Sequence, residues 1–163
     1  MSNPDWSQFT TRINVNASIT DLFKCWTNQD AIEKWFLRKA QFTDSEGNLK
    51  DRNALIAAGD SYHWEWHGSD HVEKGQILES NGKDTIKFTF ANSMVTVQIR
   101  TEEGDNIVDI NQANIPIDDA TRMSTHVGCT SGWTFYLANL KSLMEGGIDL
   151  RNRNGKLVNV VNT

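Results

Sequence analysis

Six side chains in this sequence combine types and spacings suited to metal or nucleophile chemistry. His63 and His67 flank Glu65 in the run YHWEWH, and His71 follows just beyond Gly68. Two histidines and a carboxylate are a ligand set for zinc or a similar ion. On an extended strand these three alternate with Tyr62, Trp64 and Trp66, so the two sets occupy opposite faces. Three large aromatics claim the buried face, which leaves the His/Glu face as the solvated convex surface, and no metal is expected there. His126 and Cys129 stand three apart near the start of a long helix. A helix N-terminus and an imidazole both favour a thiolate nucleophile. No third residue is in view to orient that imidazole, so Cys129 reads as a packed structural thiol and no catalytic residue is assigned. Glu65, Glu102 and Asp109 fall on outer faces or turns rather than on apolar surface that would retune them for acid–base work. Neither a phosphate loop nor a dinucleotide fingerprint occurs. No cofactor is expected, and enzyme activity is left open with the weight against it.

The elements that must hold these residues are short strands followed by one long helix. Phe9, Thr11, Ile13 and Val15 alternate with polar neighbours as a half-buried strand. Ser18 and Asp21 form an acidic variant of the capping box, opening a helix with Leu22, Phe23 and Trp26 on its apolar stripe. Asn28 and Asp30 restart the chain into a second short helix, Ala31 to Phe36. A weak strand over 40–43, the turn-rich DSEGN and an irregular stretch to Gly59 come next. Strands are then expected around Tyr62–Trp66, Val72–Glu79, Ile86–Phe90, Val95–Ile99 and Val108–Gln112. Asn81-Gly82 and Glu103-Gly104 supply turn chemistry. Seven strands result, six of them consecutive, so the sheet should be largely antiparallel. The last helix is expected from about Thr125 to Glu145, with Trp133, Leu137, Leu140 and Met144 at spacings of three and four and Gly146-Gly147 as its stop.

A chain of 163 residues holds one domain with a real core. We expect a polar leader over 1–8, a single domain over 9–151 and a flexible tail over 152–163. A formal net charge of −5 argues against a nucleic-acid partner. No apolar run approaches the ~20 residues needed to span a bilayer, so no membrane insertion is expected. Cys25 and Cys129 lie far apart and read as reduced thiols of a cytoplasmic protein.

Element order and local wording together resemble the START-like superfamily, the helix-grip fold of polyketide cyclases and lipid-transfer proteins. More narrowly the chain resembles the homologues of the activator of the heat-shock chaperone ATPase. The likeness is carried by Leu22-Phe23 with Trp26-Thr27, Lys34-Trp35-Phe36, Tyr62 through Trp66, Gly75-Gln76-Ile77, Phe88-Thr89-Phe90, Gln112, and Gly128-Cys129 with Gly132-Trp133 through Arg151. It runs from about Phe9 to Arg151. It covers only the C-terminal domain of the eukaryotic chaperone activators, whose additional N-terminal domain does much of the chaperone binding. This chain is expected to be the helix-grip unit alone.

The resemblance implies an α+β fold in which a curved antiparallel sheet grips the long C-terminal helix, with an elongated pocket between them. The apolar face of each strand then points inward: Trp64, Trp66, Phe88, Phe90, Val97, Ile99 and Ile110 should face Trp133, Tyr136, Leu137 and Leu140. Trp35 and Phe36 should close one mouth. Gln112, Tyr62 and Tyr136 would offer polar groups, with Cys129 on the same wall. A solid core without a usable cavity is the competing expectation. The leading functional expectation is a non-catalytic binder of a small apolar, aromatic or lipid-like molecule. A chaperone ATPase-modulating or other protein-interaction module active in stress response, with a heat-shock chaperone as partner, is the alternative. A cyclase- or hydrolase-type enzyme is the third.

Overall fold

The computed structural model describes residues 4–157 and 159–161. Seven strands form one antiparallel sheet: β1 (Phe9–Asn14), β2 (Lys39–Thr43), β3 (Ser61–Glu65), β4 (Val72–Ser80), β5 (Thr85–Phe90), β6 (Ser93–Glu102) and β7 (Asp105–Ala113). Their order across the sheet is β1-β7-β6-β5-β4-β3-β2. Six strands thus follow one another in space as in sequence, while β1 crosses to the far edge and pairs with β7, Phe9 opposite Gln112 and Ile13 opposite Val108.

The helices fall where the capping chemistry places them. α1 (Ile19–Thr27) starts at Ser18, whose hydroxyl accepts from the Asp21 amide and donates to the Asp21 carboxylate. α2 (Gln29–Trp35) starts at Asn28, whose side chain accepts from the Ala31 amide. Tight turns join the strands at Ala91-Asn92 and Glu103-Gly104, all four residues in the left-handed region that hairpin turns of two residues require. Near Pro116 the chain enters a single turn, α3 (Asp119–Thr121), and then a π-helical turn over Arg122–Val127, before α4 (Gly128–Gly146) begins. The long helix therefore begins three residues later than its periodicity suggests, and its entry is wound more loosely than an α-helix. It ends at Gly147, with φ of 72° and its amide donating to the Leu143 carbonyl.

The core lies between the sheet, α1, α2 and α4. Val97, Ile99, Val108 and Ile110 from the sheet join Leu22, Ile32, Leu137 and Leu140 in one buried cluster. Gly75 is required by a close approach: a Cβ there would stand 2.5 Å from the Thr89 hydroxyl and 2.6 Å from the Tyr62 hydroxyl. Its absence lets the Tyr62 ring cross β4, where its hydroxyl donates to the Thr89 carbonyl over 2.5 Å.

Both chain ends carry structure that composition does not reveal. In the expected leader, Trp6 packs edge-on against His126 at 5.0 Å, and the Ser7 carbonyl accepts from the Ile115 amide. Beyond α4, the buried Arg151 guanidinium donates to the carbonyls of Glu33, Lys34 and Leu37 and to Asp149. It caps the end of α2 from a distant segment. Asn139 on α4 completes this clamp, donating to the Trp35 carbonyl and accepting from the Leu150 amide. Of the expected flexible tail, residues 158, 162 and 163 lie outside the described residues.

Candidate functional site

α4 changes character halfway along. Its second half carries Leu137 and Leu140, buried to within 1%. Its first half reads GCTSG, and a Cβ built on Gly128 or Gly132 meets nothing within 4 Å. The missing side chains leave an open pocket of about 620 Å³ at this end of the molecule. That volume lies within the ~300–1,000 Å³ usual for small-molecule sites.

Five further segments supply the remaining walls. Phe36 comes from the end of α2, Trp66, His67, Ser69 and His71 from the β3–β4 turn, and Phe90 with Ala91 from the β5–β6 turn. Ser124 and Thr125 come from the π-helical turn, and Val161 from beyond α4. Phe36 is the hub of the floor, stacked on Trp133 at 5.2 Å and edge-on to Tyr136 at 4.9 Å and Trp66 at 5.6 Å. Phe90 meets Trp133 at 5.3 Å. These rings fix one another, so the apolar surface is preformed.

Of the residues expected to line a cavity, Phe36, Trp66, Phe90, Cys129, Trp133 and Tyr136 do so. The others are packed away from it. Val97, Ile99, Ile110, Leu137 and Leu140 belong to the buried core cluster instead. Trp35 donates its indole N–H to the Cys25 carbonyl, and Tyr62 stacks on Trp64 at 3.9 Å, with Phe88 behind Trp64 at 5.3 Å. Gln112 is fully buried and is held by its neighbours: Trp133 Nε1 donates to its Oε1 over 2.9 Å, and its Nε2 donates to the Ser93 hydroxyl over 2.8 Å. Ser93 in turn donates to the Phe90 carbonyl. This relay orients Trp133 and fixes the β5–β6 turn from behind the pocket.

His67 corrects the expected convex placement, and His71, past the turn, joins it on the pocket. Alternation holds only to Glu65, where β3 ends; the chain then turns through Gly68 (φ 69°) and swings both histidines onto the pocket. His63 stays on the outer face, 3.0 Å from Glu65. Among the described residues no group of three or more His, Cys, Asp or Glu side chains could hold a metal ion. His126 and Cys129 do not pair either. The imidazole packs against Trp6 and Phe9 and contacts the Gln8 carbonyl, while burial raises the Cys129 thiol above its ordinary value. Both cysteines are free thiols.

Charge is unevenly distributed around the pocket. His67 is held below the ordinary imidazole value by burial, then by the guanidiniums of Arg151, Arg153 and Arg38. Burial pushes the Tyr136 hydroxyl up to about 12. Asp149 also loses solvent, which alone would raise its carboxyl, but hydrogen bonds from Arg151 and Arg153 outweigh this and hold it far below the usual range. On the opposite flank Glu73 accepts from the Ala91 amide and sits 3.2 Å from His71.

A seven-stranded antiparallel sheet wrapped on a C-terminal helix, with two short helices after the first strand, defines the START-like helix-grip fold. The profile of the family described as "Activator of Hsp90 ATPase homolog 1-like protein" matches residues 16–145, and the chain belongs to that family. Protein SSP2350 from Staphylococcus saprophyticus has a similar fold, with a TM-score of 0.69 at 17% identity over 88% of this chain and 96% of that one. The Aha1 dimer from Colwellia psychrerythraea aligns with a TM-score of 0.66 at 16% identity, over 86% and 97% of the two chains. DynU16, a putative protein in the dynemicin biosynthetic locus, aligns with a TM-score of 0.69 at 13% identity, over 92% of this chain and 51% of that one. At these identities the likeness is one of fold. No curated protein matches the sequence significantly. No helix among the described residues is long and apolar enough to cross a membrane.

Proposed function

We propose that this protein is a non-catalytic binder of a small apolar or aromatic molecule, held in the pocket at the glycine-rich start of α4. The observation that carries this reading is the pairing of a preformed aromatic floor with helix positions that have no side chain to fill the space. Apolar ligand surface buried there gains ~25 cal/mol per Å². The cytoplasmic setting expected from the sequence is part of the same proposal. Titration with apolar probes, followed by the fluorescence of Trp66 and Trp133, tests it against a Gly132→Phe variant whose ring would occupy the pocket. Binding by the wild type and its loss by more than about tenfold in a folded variant supports the proposal. Equal binding by both overturns it.

A second reading rests on the family's description as an activator of a chaperone ATPase. Ile117 and Met123, 61% and 71% exposed, lie with Val127 on the segment leading into α4 and offer apolar contact outside the aromatic floor. Unchanged turnover of an Hsp90-class ATPase on adding the protein removes that reading. For the enzyme alternative, the packing of His126 against Trp6 and Phe9 and the raised thiol argue against Cys129 as an activated nucleophile.

A further inference from the structure

Tyr136 is 8% exposed and lines the pocket. Its hydroxyl makes no hydrogen bond to a described residue, yet it is not among the buried polar atoms sealed off without a partner and so is reachable from the pocket. A tyrosine this deeply placed normally spends its hydroxyl on a neighbour, as Tyr62 does on the Thr89 carbonyl. His67, on the same pocket, also lacks a hydrogen bond among the described residues. Both groups lie within the field of Arg151 and Asp149.

The surrounding charges give this corner a sign. Arg38, Arg151 and Arg153 supply three guanidiniums, and two carboxylates answer them. Glu65 pairs with Arg38 at 2.5 Å, while Asp149 pairs with both Arg151 at 2.8 Å and Arg153 at 2.5 Å. Asp149 is thus shared, and the corner is left net cationic. Glu73, the carboxylate on the opposite flank, lies by the β5–β6 turn and bears on Cys129. A negative group entering the pocket is drawn toward Tyr136 and His67 and repelled from the Glu73 side. Between the two lie the rings of Phe36, Trp66, Phe90 and Trp133.

We propose that the occupant is an amphipathic monoanion, an aromatic or aliphatic body ending in a carboxylate, with the carboxylate bound by Tyr136 and His67 and the body laid along the rings. This rests on the reading of the pocket as a ligand site and adds the ligand's polarity and direction. Tyr136 donates its hydroxyl proton to one carboxylate oxygen. His67 donates from a ring nitrogen to the other, and Arg153 contributes through the field.

Matched probes separate the two proposals. 4-Biphenylcarboxylate is compared with 4-biphenylcarboxamide, and decanoate with decanamide, each pair alike in shape and differing in charge. The expected result is acid binding about tenfold or more tighter than amide binding, the worth of one or two hydrogen bonds to a charged group. That preference should shrink to under about threefold in Tyr136→Phe and in His67→Gln, and should weaken with added salt. Equal binding of acid and amide overturns the acidic pole and leaves the apolar pocket standing. A preference that survives both substitutions also overturns it, because the carboxylate then sits elsewhere. Binding of neither probe overturns both proposals. His67 follows the end of β3 in a turn, so His67→Gln keeps the test decisive should Tyr136→Phe fail to fold.

Discussion

Leu137 and Leu140 in the second half of α4 belong to the same buried cluster as Val97, Ile99 and Ile110, whereas Gly128, Ser131 and Gly132 in its first half border open space. One helix crosses one sheet in both places. The difference is side-chain volume, and it shows that the pocket is a local subtraction from a core that is otherwise closed. Gln112 and Trp133 stand at the boundary, their hydrogen bond fixing where packing ends and the cavity begins.

Substitutions should act in opposite senses on the two halves. The largest effect is expected from Leu140→Ala, which opens a void in the packed half and should cost about 2–5 kcal/mol of stability in denaturant titration. Ligand affinity of the folded fraction should stay unchanged. Next comes Gln112→Leu at the boundary. It strips partners from the Trp133 indole and the Ser93 hydroxyl and should cost about 1–3 kcal/mol. Because Trp133 loses its anchor, its fluorescence and the pocket's affinity should change together. In the open half, Gly132→Ala should stabilise the protein by about 0.5–1 kcal/mol, since a mid-helix glycine is replaced and its Cβ meets no neighbour. A loss of stability there would mean that the space is already filled.

The smallest expected effect is that of pH at the rim. His67 has a folded value below its unfolded one, so the unfolded chain takes up its proton first. Stability should therefore be lost as pH falls below the ordinary imidazole value of ~6.5 and down through the lower folded value. Melting curves at pH 7.5 and 5.5 should show a larger acid loss for the wild type than for His67→Gln. Equal losses would mean that neither burial nor the neighbouring arginines depress the imidazole.

Strand order, the tandem short helices and the gripped helix were legible because burial imposes a period on sequence, seen in the alternation at Tyr62, Trp64 and Trp66 and the spacing of Trp133, Leu137 and Leu140. Of the site, the aromatic members Phe36, Trp66, Phe90, Trp133 and Tyr136 were legible for the same reason. Period alone does not separate a residue that faces a cavity from one that faces its neighbours, so Val97, Ile99, Ile110 and Leu140 were expected on the cavity and lie in the core. The residues that make the space were passed over because they contribute absence. Gly128 and Gly132 stand one helical turn apart, and that spacing was the available signal. His67 required knowing that β3 ends at Glu65, where the strand pattern no longer applies. Arg151 gave no local signal, because the carbonyls it caps lie more than a hundred residues away.

The central claim, that the glycine-rich half of α4 borders a ligand site while the leucine half is closed, is tested most directly by amide shift mapping during titration with 4-biphenylcarboxylate and its amide. The predicted result is a set of saturable shifts confined to residues 36, 66–71, 90–91, 124–136 and 161. Shifts that are absent for both probes, or that centre on 97–110 and 137–144, would contradict it.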